Sequence, residues 1–127
     1  MSTKNIKLSN LQISVMKILW NNEQISVRNV HKLMNEVKPI ALTTVATLLK
    51  RMEEKNIVGF EKNGRQHVYF PLISESDVKS SMLGNMLSHL FNNKPAELVH
   101  HLVDQDNMTE DELVLIRKIL SQEASND

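Results

Sequence analysis

The order in which the hydrophobic spacing changes along the chain restricts the fold more than any other feature of the sequence. Three stretches within residues 9–56 carry apolar side chains three and four positions apart, which is the spacing of one buried helix face. A short apolar run follows, then Asn63-Gly64, and then a second run from His67 to Pro71. Asn-Gly between two extended runs favours a two-residue hairpin turn in which both central residues take positive φ. The sequence therefore predicts three helices followed by a β-hairpin.

Capping residues place the ends of these helices. Ser9 and Gln12 form a capping box for the first helix, and Ser26 caps the second. Pro39 disfavours helical backbone at Lys38, so the second helix should end there, before a third helix over about residues 41–56. Trp20 is expected to anchor the first helix in the core. The side chains predicted to be buried are Leu11, Val15, Ile18 and Leu19 in the first helix, Val27, Val30, Leu33, Met34 and Val37 in the second, and Val45, Leu48, Leu49 and Met52 in the third.

The remainder of the chain is predicted to be helical. Ser74 and Asp77 open one helix, Pro95 suits the first turn of another, and Thr109 with Glu112 forms a capping box for the last. Charge changes sign at the same place as the element type. Residues 1–72 hold eleven Lys and Arg against five Asp and Glu, a balance of +6, whereas residues 73–127 hold four against ten, a balance of −6. We therefore predict two domains, 1–72 and 73–127.

The basic half has the element order of a winged helix-turn-helix, in which the third helix enters the major groove of DNA and the hairpin reaches the flanking backbone. Threonine methyl and hydroxyl groups can contact thymine methyls and base edges, and basic side chains can contact guanine or phosphate. Uneven surface charge without any partner is the simpler alternative for the charge asymmetry. The residues expected to contact DNA are Thr43, Thr44, Ala46, Thr47, Lys50 and Arg51 on the third helix and Lys62 and Arg65 on the hairpin.

Several other function classes find no support. The chain has no Cys, so a disulfide, a thiolate nucleophile and a Cys-based metal site are all excluded. His100 and His101 are adjacent and would point about 100° apart on a helix, which does not suit one metal ion. Residues 104–112 are acidic but lack the calcium-loop pattern. No catalytic constellation is apparent, so we expect neither an enzyme nor a cofactor. No apolar run is long enough for a membrane span or a signal peptide, and we expect a cytoplasmic protein.

The chain also resembles a known family. The resemblance is carried by LSNLQISVMKILW (residues 8–20), ISVRNV (25–30), TTVATLLKRMEEK (43–55) and GRQHVYFPL (64–72). It extends through Leu90-Phe91 and the segment MTEDEL (108–113) to the end of the chain. In order and in register, these runs are similar to the penicillinase repressor family, the BlaI/MecI/CopY group.

The resemblance implies a dimeric repressor that is mainly α with a small β-hairpin, a winged helix-turn-helix followed by a helical dimerisation region. The winged helix would read a palindromic operator. It also implies a membrane sensor protease as a partner, whose signal leads to cleavage at an Asn-Phe pair. His101-Leu102 occupies that position here, so the cleavage motif is absent. The residues expected to pair two subunits are Met82, Met86, Leu90, Phe91, Leu113, Ile116 and Leu120.

Two alternatives remain open at this point. A winged helix can serve as a protein-protein interaction module without DNA binding, although the basic third helix and hairpin favour DNA. Regulators of this fold can also activate transcription. Copper sensing through a carboxy-terminal Cys cluster is excluded, because the chain has no Cys.

Overall fold

The computed structural model describes residues 6–105 and 108–125. The chain is mostly helical with one small antiparallel sheet, as the sequence predicts. The elements in chain order are α1 (Asn10–Asn22), β1 (Ile25–Ser26), α2 (Val27–Val37), α3 (Leu42–Glu54), β2 (Val58–Asn63), β3 (Gln66–Pro71), α4 (Glu75–Leu90), α5 (Pro95–Asp104) and α6 (Glu110–Ser125).

The predicted caps begin the first two helices. The Ser9 hydroxyl accepts from the Gln12 N–H at 3.1 Å, and the Gln12 side chain accepts from the Ser9 N–H at 2.9 Å. Ser26 accepts from the Asn29 N–H at 3.2 Å and starts α2. Lys38 has extended backbone (φ −154°, ψ 132°) and ends α2 directly before the proline. Local side-chain chemistry therefore sets these boundaries, because each cap satisfies backbone groups that the helix leaves unpaired.

The core of the amino-terminal part lies between α1, α2, α3 and the sheet. Two predictions were wrong: Val37 is 89% exposed because it is the last residue of α2, and Leu11, in the first turn of α1, is also exposed. Met16 lies outside the predicted stripe and is fully buried, so α1 buries a broader arc than the stripe indicated. The buried core residues are Leu8, Val15, Met16, Leu19, Ile25, Val30, Met34, Val45, Leu49, Met52, Val58, Tyr69 and Val78.

The sheet has three strands in the order β1-β3-β2, and all neighbours are antiparallel. Asn63 still pairs with Gln66, so the two turn residues are Gly64 and Arg65, one position later than predicted. Gly64 has φ 67°, whereas Asn63 and Arg65 are not among the residues with positive φ. Glycine at the first central position is typical of a type II′ hairpin turn, which also suits the twist of two strands. The prediction of Asn63-Gly64 as the central pair was wrong.

The elements after the hairpin begin as predicted. Ser74 accepts from the Asp77 N–H at 3.0 Å before α4, and Pro95 lies in the first turn of α5. Thr109 and Glu112 form the reciprocal contacts of a capping box before α6, at 3.1 and 2.9 Å. Between residues 84 and 122, none of the described side chains is buried. These helices therefore keep apolar side chains at the surface of the single chain.

Contacts divide the chain into two compact units, Met1–Leu83 and Gly84–Asp127. The first turns of α4 belong to the first unit because Val78 is buried in its core. Ser81, one turn later, accepts from the Ile6 N–H at 2.8 Å. The domain boundary after residue 72, which rests on the change of charge sign and of element type, stays a prediction. None of the helices in the described part of the chain is long and apolar enough to cross a bilayer.

Candidate nucleic-acid interface

Helix α3 has one buried side and one exposed side. Val45, Leu49 and Met52 have no accessible surface, which fixes the orientation of the helix on the core. Residues three and four apart lie one above another on a helix, so Thr43, Thr47 and Lys50 form a row opposite the buried side. The structure exposes all six residues that the sequence predicted on this helix: Thr43, Thr44, Ala46, Thr47, Lys50 and Arg51.

The amino-terminal end of α3 has no side-chain cap. Ala41 occupies the N-cap position with φ −74° and ψ 146°, and no side chain bonds the first-turn N–H groups there. The first backbone bond runs from the Val45 N–H to the Ala41 carbonyl oxygen at 3.2 Å. Free N–H groups at the positive end of the helix dipole favour an anion such as phosphate.

The hairpin of β2 and β3 carries the other predicted cations. Lys62 and Arg65 are both exposed, Lys62 on β2 and Arg65 in the turn. Lys62 lies directly opposite His67, which is also exposed. His67 was not predicted as a site residue, and the predicted Asn63-Gly64 turn would have placed it opposite Phe60 instead of Lys62. The hairpin tip therefore presents two basic side chains, Lys62 and Arg65, and the imidazole of His67.

An aromatic row runs along the hairpin from its middle towards its tip. The rings of Phe60 and Tyr69 stack with centroids 5.6 Å apart, and the ring of His67 lies 5.4 Å from that of Phe60. Burial raises the pKa of the Tyr69 phenol above 10.0, and the negative charge of Glu53 on α3 raises that pKa further. Tyr69 is therefore neutral at physiological pH, and its ring belongs to the core that supports both α3 and the hairpin.

The basic side chains of this surface are not neutralised by carboxylates. Within residues 6–105 and 108–125, the ion pairs join Lys79 to Glu75, Lys94 to Glu97 and His100 to Asp104. None of these pairs includes a basic residue of α3 or of the hairpin. Among the described residues there is also no group of three or more His, Asp or Glu side chains placed to hold a metal ion. The surface of α3 and the hairpin therefore offers hydrogen-bonding groups and positive charge.

Sequence and structure comparisons identify the family. A model of the penicillinase repressor family matches residues 8–122. The chain belongs to the penicillinase repressor family. The methicillin resistance regulatory protein MecI of Staphylococcus aureus strain N315 is 25% identical over 122 residues, which cover 96% of this chain and 99% of MecI.

Two solved structures of this penicillinase repressor family align with the amino-terminal part of the chain. The DNA-binding domain of the repressor BlaI is 32% identical, with a TM-score of 0.53, and the alignment covers 60% of this chain and 93% of that domain. The monomeric form of Bacillus licheniformis BlaI in complex with the blaP half-operator is also 32% identical, with a TM-score of 0.51 over 58% of this chain and 90% of that one. The family and the winged-helix fold predicted from the sequence are confirmed.

Proposed function

We propose that this protein is a sequence-specific DNA-binding transcriptional repressor that reads its operator with α3 and the β2–β3 hairpin. The observation that carries the proposal is the exposed surface of α3, where threonines and two unpaired cations lie opposite a fully buried face. The structure of the related BlaI with a half-operator supports the same partner for this chain. The +6 balance of residues 1–72 gives this part of the chain the sign of charge that attracts a polyanion.

Helix α3 has the chemistry that base reading requires. The major groove of B-DNA is about 12 Å wide and admits one α-helix. Thr43 and Thr47 present methyl and hydroxyl groups, and Ala46 a methyl group, for thymine methyls and base edges. Arg51 can donate two parallel hydrogen bonds to guanine, and Lys50 can reach guanine or phosphate. These contacts supply specificity.

The hairpin supplies affinity that does not depend on sequence. Lys62 and Arg65 are exposed on the two-stranded hairpin, where they can contact phosphates beside the groove that α3 is proposed to occupy. Each phosphate that is neutralised releases counterions, so these contacts make binding sensitive to salt.

The second unit is proposed to pair two copies of the chain. Leu90 is 71% and Leu120 is 61% exposed, and half-buried apolar side chains accompany them on the same helices. Apolar surface of this kind favours a protein interface, and a second copy can bury it by two-fold symmetry. The proposed pairing residues remain Met82, Met86, Leu90, Phe91, Leu113, Ile116 and Leu120, all of them half-buried or exposed in the single chain. Met82 is the member of this set that lies in the first unit and also packs against its core.

A two-fold dimer would place two copies of α3 on a palindromic operator, one or more helical turns apart. Linking two weak half-site contacts raises the overall affinity through effective concentration. Operator binding requires access to the chromosome, and we place the repressor in the cytoplasm. A membrane sensor protease is the partner implied by the family resemblance, and a protease gene beside this one would support it. His101 and Leu102 lie inside α5. Because the Asn-Phe pair is absent there, we do not propose cleavage at this position.

Selection of duplexes from a random pool by the full chain tests the proposal. The selected duplex should contain two half-sites related by two-fold symmetry. Their centres should be one or more helical turns apart, at about 10 base pairs per turn. Fluorescence anisotropy at several salt concentrations should give a log-log slope of about −0.9 for each phosphate neutralised. A protein-protein module would enrich no sequence and give a flat salt dependence, and that pair of results would overturn the proposal.

A further inference from the structure

The turn between α2 and α3 is held by two side chains of α2 that converge on one residue. The His31 ring nitrogen Nε2 lies 2.8 Å from the carbonyl oxygen of Ile40. The Asn35 side-chain oxygen accepts from the Ile40 N–H at 2.9 Å. Because His31 and Asn35 are four residues apart, they lie on the same side of α2. Both backbone polar groups of Ile40 are therefore bonded to the preceding helix.

The partners fix the hydrogen-bonding role of each side chain. A carbonyl oxygen can only accept, so Nε2 of His31 carries the proton and donates to Ile40. A backbone N–H can only donate, so the oxygen of Asn35, not its NH₂ group, must be the atom that faces Ile40. Replacement of either side chain by an apolar one of similar size removes one contact and leaves the other.

Beyond the fixed φ of Pro39, the turn has few other hydrogen bonds that hold its backbone. Pro39 has no N–H, Lys38 is extended, and Ala41 provides no side-chain cap for α3. Ile40 directly precedes this N-cap, so its position determines where α3 starts. The start of α3 is thus specified by α2 rather than by residues of α3 itself.

A small error at this turn would be amplified along α3. Lys50 lies ten residues beyond Ile40, about 15 Å along a helix with a rise of roughly 1.5 Å per residue. A rotation of about 10° at the turn would therefore displace that end by about 2.5 Å, whereas binding groups must hold within about 0.5 Å of their working geometry. Core packing of Val45, Leu49 and Met52 limits tilting of the helix. The contacts at Ile40 then set its remaining freedom at the amino-terminal end.

We propose that His31 and Asn35 are positioning residues that set the reading geometry of α3 through Ile40. The inference rests on the proposed function, since it concerns how an operator is read. Base contacts depend on this geometry, whereas phosphate contacts from flexible cations tolerate small shifts. Loss of the clamp, defined as the two side-chain contacts to Ile40, therefore lowers affinity for the operator more than affinity for unrelated DNA.

The test compares two duplexes of equal length, one selected by the wild-type protein from a random pool and one unrelated. His31→Phe and Asn35→Leu should each lower the ratio of the two affinities roughly fivefold or more, the equivalent of one weakened base contact. His31→Gln keeps an N–H donor and Asn35→Asp keeps an acceptor, so both should restore much of the ratio. Asn21→Leu changes an exposed amide on α1 and serves as the matched control, with an unchanged ratio.

Amide hydrogen exchange of Ile40 provides a readout without DNA. The Ile40 N–H should exchange faster in Asn35→Leu than in the wild type or in Asn35→Asp, while the core amides of α3 keep their protection. If the wild type selects no duplex, the proposed function fails, and the exchange result still decides whether the clamp exists. If the wild type selects an operator and Asn35→Leu exchanges faster at Ile40 with an unchanged affinity ratio, the positioning role is wrong. Because Asn35 is exposed, this variant keeps the test valid even if His31→Phe fails to fold.

Discussion

The indole Nε1 of Trp20 donates a 2.9 Å hydrogen bond to the carbonyl oxygen of Ile73, 53 residues later in the chain. The bond joins the end of α1 to the segment between β3 and α4, and both residues pack against the core. An indole N–H that is taken out of water needs such a partner, because its burial without one would be costly. Trp20 is therefore a core anchor, as predicted, and it also fixes where the chain leaves the sheet.

We expect Trp20→Phe to lower the free energy of unfolding by about 1–3 kcal/mol, because the Ile73 carbonyl loses its donor in a partly buried place. The chain has a single Trp, so urea denaturation should be followed by circular dichroism rather than by fluorescence. Ile18→Val, a small apolar truncation on the same helix, controls for loss of volume and should cost about 0.5–1.5 kcal/mol. Equal stability of Trp20→Phe and the wild type would show that the hydrogen bond contributes nothing.

The two glycines at positions 59 and 84 should respond to alanine in opposite directions. A Cβ atom at Gly59 would lie 2.5 Å from the Phe70 ring across the β2–β3 ladder, so the ring must move. Gly84 lies inside α4, and a Cβ atom there would meet nothing within 4 Å. Gly59→Ala should therefore destabilise the protein by about 1–3 kcal/mol through overpacking. Gly84→Ala should stabilise it by about 0.5–1 kcal/mol through helix propensity. Thermal unfolding of both variants checks the pair, and a stabilising Gly59→Ala would contradict the close contact with Phe70.

The parts of the fold that could be predicted from the sequence are those that depend on residues close together in the chain. Ser9 and Gln12 lie within one turn of each other, and so do Thr109 and Glu112, so their caps need no tertiary information. The two-residue strand β1 is too short to show an alternating pattern, and it exists because Ile25 pairs with Tyr69 on a distant strand.

The candidate nucleic-acid interface likewise has some features that local sequence predicts and others that depend on tertiary contacts. Exposure of the predicted α3 residues follows from its helical periodicity, because the buried stripe determines the opposite face. The contacts of His31 and Asn35 with Ile40 depend on the path of the turn, which no local pattern specifies. The hairpin turn differed by one residue because Asn63 remains in the strand ladder instead of entering the turn.

Capping the start of α3 should separate stability from DNA affinity. The backbone of Ala41 (φ −74°, ψ 146°) already resembles that of the serine N-cap of α2 (φ −75°, ψ 157°), so Ser or Asp fits without strain. Ala41→Ser and Ala41→Asp should each raise the free energy of unfolding by about 0.5–2 kcal/mol. Only the aspartate adds negative charge at this uncapped helix end, whose free N–H groups favour an anion such as phosphate, so only Ala41→Asp should weaken duplex binding at low salt. Equal DNA affinity of the two variants would place this end of α3 away from the backbone of the duplex.

The hairpin cation Lys62 should contribute to binding on every duplex alike. Lys62→Ala should reduce the steepness of the log-log salt dependence by about 0.9, the contribution of one phosphate contact, and weaken operator and unrelated duplexes by the same factor. Lys79→Ala is the matched control, because Lys79 is an exposed lysine of α4 that pairs with Glu75 at 3.7 Å. Anisotropy titrations at several salt concentrations measure both slopes. A slope that changes equally in the two variants would remove the hairpin from the interface.

The exposed leucine at the end of α4 tests whether a second copy of the chain covers the second unit. Leu90 is 71% exposed in the single chain, so Leu90→Asp should leave the helical content and the folding of each chain unchanged. In a dimer the carboxylate would be buried without a partner, which is strongly unfavourable. Sedimentation velocity should then change from dimer to monomer. Binding to a two-site operator should weaken about a hundredfold or more, while binding to one half-site is retained, because only the gain from linkage is lost.

Leu72→Asp changes a leucine of the first unit that is 51% exposed, and this control should remain dimeric. A dimeric Leu90→Asp would show that the pairing surface lies elsewhere. A monomeric Leu90→Asp with full operator affinity would show that α3 and the hairpin bind without help from a second subunit.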